Sequence, residues 1–152
     1  MDKMDIKIRT AVISDLNALV NFNQSMARET ENKELDNRVL ESGVGALIAD
    51  RSKGFYLVAE QDCQVIGSLM VTNEWSDWRN AVFWWVQSVY VLPQYRRKGI
   101  YAMLYQEVKL LAKQDGNVCG WRLYVEKDNL IAQQTYNALG MNESHNLMFE
   151  ES

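Results

Sequence analysis

Apolar and polar positions alternate in some stretches of the chain and recur at helical spacing in others, so an order of elements can be read directly. Ile6 to Thr10 alternates apolar and charged side chains and predicts a short strand. Ser14 is placed to cap a helix with Asp15 in its first turn, and Leu16, Leu19, Val20 and Asn23 carry helical spacing to Arg28. Residues 29–50 read as a second, more polar helix built on Leu35, Val39, Leu40, Val44 and Leu47, weakened by Gly43 and Gly45. Phe55 to Glu60 and Val65 to Thr72 flank the polar turn Gln61 to Gln64 and predict a hairpin. Asn73 to Asn80 reads as a polar, tryptophan-rich connection. Ala81 to Leu92 is a long apolar strand suited to the centre of a sheet, stopped by Pro93, the single proline. Gly99 to Gln114 is an amphipathic helix with Ile100, Leu104, Val108 and Leu111 on one stripe, ended by Asp115-Gly116-Asn117. Trp121 to Glu126 predicts a strand, Asp128 or Asn129 opens a helix to Leu139, and His145 to Glu150 predicts a final strand. This order is that of a mixed α/β sheet.

Composition narrows the class. The chain has 152 residues, 47% of them hydrophobic and 24% charged, enough to bury a core. No repeat or linker divides it, so one domain over residues 1–152 is expected. A net charge of −4 gives no global basic field for nucleic acid. The longest apolar run, Ala81 to Val86, is far short of the roughly 20 residues of a membrane helix. Met1 to Asp5 is acidic and lacks the apolar core of a signal peptide. Cys63 and Cys119 are too few to staple the chain, which suits reduced thiols and a cytoplasmic location. Together with His145 they form no ligand spacing, so no metal is expected.

The chemistry-bearing segment runs from Val89 to Tyr101, where a central strand ends at a proline and a basic turn feeds a helix. Backbone N–H groups at a helix start lack intrahelical partners, and the helix dipole adds positive charge there. Gly99 lets the main chain approach a ligand closely, and Arg96, Arg97 and Lys98 add three formal charges. Such a turn is either a phosphate or pyrophosphate receptor or an ordinary basic helix start. Neither the P-loop nor the three-glycine dinucleotide fingerprint is present.

A second segment favours the receptor. Arg96-x-x-Gly99-x-Tyr101, with Val89-Tyr90-Val91 and Pro93 before it, resembles the pyrophosphate motif of the GNAT superfamily of acyl-CoA-dependent N-acetyltransferases. Val125-Glu126-Lys127-Asp128-Asn129 through Tyr136 to Leu139-Gly140-Met141 is similar to that superfamily's second conserved block. The resemblance implies a GNAT fold, with a mixed sheet of about six or seven strands flanked by four helices, and acetyl-CoA as co-substrate without a metal. It places pyrophosphate on amides of the segment Arg96, Arg97, Lys98, Gly99, Ile100, Tyr101 and Ala102. Pantetheine would pair with Val89, Tyr90 and Val91 as an added strand. Asn129 matches the polar residue that contacts the cofactor. Tyr136 matches the tyrosine that protonates the departing thiolate. These two stand seven residues apart, close to two helical turns, and so share a face. Tyr101 departs from the usual glycine or alanine, and its ring must lie beside the cofactor or pack on a neighbouring element.

The resemblance also sets the expected reaction, attack on the thioester by a primary amine of a small molecule within a ternary complex, with a main-chain donor near Val91 for the oxyanion. Trp78 and Gln87 to Val91 look most like the polyamine (spermidine/spermine) branch, in which a glutamate commonly holds the position of Gln87. Glutamine cannot serve as the base that an ammonium with a pKa near 10 requires. Glu74 and Asp77 are the nearest carboxylates in sequence, and Glu74 is the candidate base; His145 is the one histidine. Trp75, Trp78, Trp84 and Trp85 are gathered in one stretch, and adjacent Trp84 and Trp85 must point to opposite faces, one into the core. A tryptophan face beside Glu74 or Asp77 would attract an ammonium group. Glu29, Glu31, Glu34, Asp36 and Glu41 form either an acidic lip for a cationic amine or an ordinary solvated face. Acetylation of a protein N-terminus or lysine, and a non-catalytic acyl-CoA-sensing module, are the rival readings. Homodimerisation is common in the resembled family, and the long apolar strand is compatible with it.

Overall fold

The computed structural model describes residues 5–152. Five strands form one sheet in the order β1-β2-β3-β4-β5: β1 (Lys7–Thr10), β2 (Gly54–Gln61), β3 (Gln64–Ser76), β4 (Ala81–Val91) and β5 (Val118–Leu123). The first four are antiparallel neighbours, whereas β5 lies parallel to β4. A parallel pair needs a crossover, and α3 (Ile100–Asp115) supplies it. The other helices are α1 (Leu16–Glu31), α2 (Asn37–Ala49) and α4 (Leu130–Ala138).

The β2–β3 hairpin turns on Asp62 and Cys63, both with positive φ (50° and 64°), as a two-residue hairpin of the I′ kind requires. Along β2, Phe55, Leu57 and Ala59 face one way and Tyr56 and Val58 the other, and all are buried. The first set packs with Trp84, Val86 and the α3 stripe Ile100, Leu104, Val108 and Ala112. The second packs with Leu19 and Val20 of α1 and Val44 and Leu47 of α2. The sheet is therefore covered on both faces, which explains why β2 reads as a continuous apolar run.

Several expectations need correction. Residues 73–76 are not a connection but the end of β3, pairing Asn73 with Trp84 and Ser76 with Ala81, because the long β4 offers them a ladder. Only residues 77–80 form the turn. β5 starts at Val118, three residues before the expected Trp121, and stops at Leu123. Residues 145–150 form no strand, so the sheet has five strands rather than six or seven. The second helix begins at Asn37, not at residue 29, because α1 runs on to Glu31 and stops at Asn32 (φ 49°), and Asp36 caps α2 by accepting from the N–H of Arg38 at 2.9 Å. The reading of residues 1–4 lies outside the described residues. No helix among those described is long and apolar enough to cross a membrane.

Ser14 does not cap α1, because Asp15 is drawn back towards β1 instead. Its carboxylate accepts both guanidinium N–H groups of Arg9 (2.8 and 3.0 Å) and the N–H of Val12 (2.8 Å), and Arg9 also reaches Glu60 of β2 at 3.1 Å. Asp15 is buried, and hydrogen bonding from Arg9 holds its pKa below the ordinary carboxylate range. A carboxylate whose pKa is depressed by folding stabilises the fold above its unfolded pKa of about 4 and loses that contribution as pH falls. Asp15→Asn is expected to lower the unfolding free energy by about 2 kcal/mol at neutral pH. Urea denaturation across pH should show the gap between variant and wild type closing as the solution is acidified below pH ~4.

Candidate active site

The site is generated by a strand that leaves its neighbour. The β4–β5 ladder ends at Val86 and Leu123, but β4 continues against β3 as far as Val91 paired with Gly67. Between the Gln87–Met70 and Tyr90–Ser68 pairs, Ser88 and Val89 stand opposite Leu69 alone. This is a β-bulge, with Ser88 in the left-handed region at φ 51°. Beyond it, Leu92 N–H donates to Ile66 O at 2.9 Å, which makes Val91–Gly67 a non-hydrogen-bonded pair. Val91 therefore turns its own N–H and C=O away from β3, into the gap beside β5.

The chain next makes a 3₁₀ turn over Pro93–Tyr95 and enters α3 through Arg97 (φ 62°) and Gly99 (φ 80°), both left-handed. The first helical return bond is Met103 N–H to Gly99 O at 3.1 Å. The N–H groups of Gly99, Ile100, Tyr101 and Ala102 thus have no intrahelical acceptor. The neighbouring side chains differ in role. Arg96 donates to Val91 O (2.8 Å) and to Glu29 (2.9 Å), and its guanidinium lies 5.2 Å from the Tyr90 ring. It ties the turn to β4 and α1. Arg97 and Lys98 pair with no carboxylate among the described residues, and Lys98 lies 5.8 Å from the Tyr95 ring.

A cavity of about 320 Å³ opens between the end of α1 and the end of β4, lined by Met26, Glu29, Thr30, Val89, Tyr90, Val91 and Arg96. Tyr90 donates its hydroxyl to Glu29 at 2.6 Å, and its ring packs on Phe22 with centroids 5.2 Å apart. That hydrogen bond, then the bond and charge of Arg96, hold the Glu29 carboxyl below its ordinary range. The Tyr90 phenol is pushed up by burial and by the Glu29 charge.

On the other side of the turn, Tyr101 packs its ring against Tyr136 (5.8 Å, 67°) and Tyr105 (6.1 Å). The Tyr101 hydroxyl is buried without a hydrogen-bond partner. Burial pushes the Tyr136 phenol up, so its proton is retained at neutral pH. Asn129 is not on the helix face shared with Tyr136. It is the cap of α4, its side-chain oxygen accepting from the N–H of Ala132 at 3.1 Å, and it is exposed where Tyr136 is half-buried.

The remaining candidates fall elsewhere. Trp84 enters the core against Phe55, while Trp85 stacks on Tyr124 (4.5 Å) at the opposite face. Glu74 accepts from the Trp85 indole (2.8 Å) and from Arg122 (3.1 Å), so the protein's own Arg122 fills the place proposed for an ammonium group. Arg122 also lies 3.6 Å from the centroid of Phe83, whose ring fits because residue 120 is glycine: a Cβ there would be 2.9 Å from it. Trp85 stands four residues before Val89, about 13 Å along the strand. Glu74, the expected base, thus enters an ion pair with Arg122 beside the Trp85 indole, set back along the strand from Val89–Val91. Gln87 donates to Thr72 Oγ1 at 2.6 Å. Of the acidic lip only Glu29 lines the cavity; Glu34 approaches Arg28 at 3.9 Å and Asp36 caps α2. His145 is exposed on a segment without regular structure. No group of three or more His, Cys, Asp or Glu side chains gathers among the described residues in a way that could hold a metal ion. Sequence reasoning missed the bulge at Ser88, since nothing marks a serine for positive φ.

A mixed sheet whose one parallel pair, β4 and β5, parts at a bulge, beside an amide-lined turn at a helix start, defines an acetyltransferase fold with room for an extended acyl carrier. The model of the acetyltransferase (GNAT) family matches residues 16–141, and the chain belongs to that family. It is therefore an enzyme of acetyl transfer that uses acetyl-CoA as co-substrate. Among solved structures it is similar to a possible acetyltransferase from Clostridium difficile 630, with 48% identity, 97% of each chain covered and a TM-score of 0.91. A predicted acetyltransferase from Clostridium acetobutylicum, solved with acetyl-CoA, shares the fold at 17% identity, 96% of each chain and a TM-score of 0.79. An aminoglycoside acetyltransferase from an uncultured soil metagenomic sample does so at 16% identity, with 99% of this chain and 97% of that one covered and a TM-score of 0.80. No curated protein matches the chain.

The Glu29 network gives a test that needs no ligand. Tyr90→Phe should raise the Glu29 pKa, because a hydrogen bond to the charged form is lost. Arg96→Gln should raise it as well, because a hydrogen bond and a neighbouring positive charge are both lost. Carboxyl-selective NMR titration of both variants checks the two shifts.

Proposed function

We propose that the enzyme acetylates a primary amine of a small, positively charged molecule, polyamine-like in character, by direct attack within a ternary complex. The observation that carries this reading is the cavity at the end of β4, whose lining carboxylate, Glu29, is kept ionised. Glu29 shares its oxygens with Tyr90 and Arg96, so an acceptor's ammonium group would compete with Arg96 for it, whereas an acidic acceptor would be repelled. The aminoglycoside acetyltransferase that shares the fold acts on polycationic amines, which is consistent with such an acceptor.

The residues fit the co-substrate. The unsatisfied N–H groups of residues 99–102, with the unpaired side chains of Arg97 and Lys98, suit a pyrophosphate. The open edge of Val89–Val91 suits a peptide-like arm added as a strand. Acetyl-CoA supplies an activated acetyl group as its thioester. Val91 N–H, aimed into the gap, stabilises negative charge on the acyl oxygen. Tyr136 holds the proton that the departing sulfur needs, and burial keeps it there at neutral pH. Tyr101 packs against Tyr136 and orients it, and Asn129 contributes by starting α4, the helix that carries Tyr136. With Gln87 amidated and Glu74 paired to Arg122, the acceptor's proton leaves to water. We further propose that residues 1–152 act as one domain in the reducing cytoplasm, in keeping with two exposed free thiols, Cys63 and Cys119.

Release of free CoA over a panel of polyamines, aminoglycosides, amino acids and lysine peptides tests the acceptor. Preference for peptides over polyamines would favour protein acetylation instead. Tyr136→Phe should lower kcat by about 100-fold and leave calorimetric affinity for acetyl-CoA within about twofold. Arg97→Ala should weaken binding of CoA far more than of a pantetheine fragment without phosphates. If the proton leaves to water, kcat/KM should rise about tenfold per pH unit below the amine's pKa, and Glu74→Gln should leave that slope unchanged.

A further inference from the structure

The cavity at the end of β4 has a charge pattern that a simple cation does not match. Its carboxylate is engaged at both oxygens: Tyr90 donates to Glu29 Oε2 at 2.6 Å, and Arg96 Nη2 donates to Oε1 at 2.9 Å. Each donor is also held from elsewhere. The Tyr90 ring packs on Phe22. Arg96 donates through Nε to Val91 O at 2.8 Å, and its guanidinium lies 5.2 Å from the Tyr90 ring. Arg96 therefore keeps its place in the wall when its contact with Glu29 is given up. The two charged residues of the lining, Glu29 and Arg96, cancel in net charge and stand side by side, while Met26, Val89 and Val91 add apolar wall.

This wall distinguishes between amines. The Arg96 and Glu29 side chains are 42% and 40% exposed, so their ion pair is weak and open to exchange. An amine with positive charges alone takes Glu29 only by leaving the freed Arg96 N–H group facing another cation. An amine that bears a carboxylate on the carbon next to its ammonium group avoids this. Its ammonium pairs with Glu29, its carboxylate pairs with Arg96, and two ion pairs replace one. Filling the cavity removes water from both, which strengthens them relative to the exposed pair they replace. A second amine further along the same chain lies away from Glu29, so that carboxylate does not oppose the loss of its proton.

We propose that the acceptor is a diamino carboxylate: Glu29 and Arg96 hold its α-ammonium and α-carboxylate, and the amine at the other end of its chain receives the acetyl group. That amine, as the free base, forms a bond to the acetyl carbon as the C–S bond of acetyl-CoA breaks. The sulfur takes one proton and water the other. The inference rests on the proposed acetylation of a small cationic amine, and it narrows that class to molecules with this head group. It makes Glu29 and Arg96 specificity-determining residues, and it gives Arg96 a ligand in addition to its hold on Val91 O.

Calorimetry on the full-length chain with CoA present tests it. L-ornithine is compared with 1,4-diaminobutane and with L-ornithinamide, which keeps both ammonium groups and lacks the carboxylate. The measurement is made at pH ~6.5, below the α-ammonium pKa of about 8. L-lysine and L-lysinamide repeat the comparison for a longer chain. The amino acid should bind about tenfold more tightly than its amide or the diamine. In Arg96→Gln that advantage should shrink to within about twofold, whereas a purely structural role for Arg96 weakens all the ligands alike and so overturns the inference. Equal affinity for amino acid and amide, tighter binding of the diamine, or no binding of either amino acid also overturns it. Acetylation of the diamine and the amides would then leave the proposed function standing, whereas no CoA release with any of these amines removes that reading too. Should Arg96→Gln fold poorly, the comparison of ligands on the wild-type chain decides alone.

Discussion

The fold depends on where one hydrogen-bonded ladder stops. β4 and β5 pair from Val82 to Val86 and then separate, although β4 keeps its bonds to β3 for five more residues. Backbone N–H and C=O groups are costly to leave unpaired inside a protein, so the strand edge freed where β4 leaves β5 demands a partner. The bulge at Ser88 is how the local geometry achieves this. It places an extra residue in β4, increases the twist, and rotates Val91 so that its polar groups face the gap rather than β3. A binding groove for an extended molecule follows from a defect in pairing, with no need for a large cavity.

The turn after β4 extends the same logic from neutral backbone to charge. Three cations in a row suggested three contributions to one anion site, but the structure divides them. Arg96 fastens the turn to Val91 O and to Glu29, so it sets the position of the amides rather than adding free charge. Arg97 and Lys98 remain for a ligand. Because Arg96 bridges to Glu29, the amide-lined turn and the cavity at the end of β4 share one ion pair. A disturbance at either side is transmitted to the other through a contact of 2.9 Å.

How much of this was legible follows from the range of the forces involved. The β4 strand, its stop at Pro93, the start of α3 and the β2–β3 hairpin, read with a four-residue turn where the structure has two, were readable because each is decided by near neighbours in sequence. The split of Trp84 and Trp85 between faces was readable for the same reason. What escaped depends on partners far along the chain. Residues 73–76 look like a loop by composition, yet become strand because β4 is long enough to pair with them. Ser14 looks like a cap, yet Asp15 is taken by Arg9 of β1, whose guanidinium also reaches Glu60 on β2. Asn129 and Tyr136 have helical spacing, but the cap position puts Asn129 outside the helix on which the spacing argument rests. The final segment, 145–150, has a strand's pattern, but no strand among the described residues pairs with it.

Under the proposed acetylation of a cationic amine, the absence of an obvious base follows from the same electrostatics that define the cavity. A carboxylate close to an ammonium group favours the charged form and raises its pKa, so Glu29 can gather a cationic acceptor but opposes its deprotonation. A second carboxylate beside the first would deepen that opposition. At Gln87 the structure keeps a neutral amide bonded to Thr72, and it neutralises Glu74 with Arg122 some distance back along the strand. Glu29 is likewise paired, with Arg96 at 2.9 Å, so under the proposed function neither carboxylate is left free to act on a neutral amine at the strand edge. Proton loss to water is then the route left to the amine, and the glutamine that looked like a missing catalyst leaves that edge uncharged.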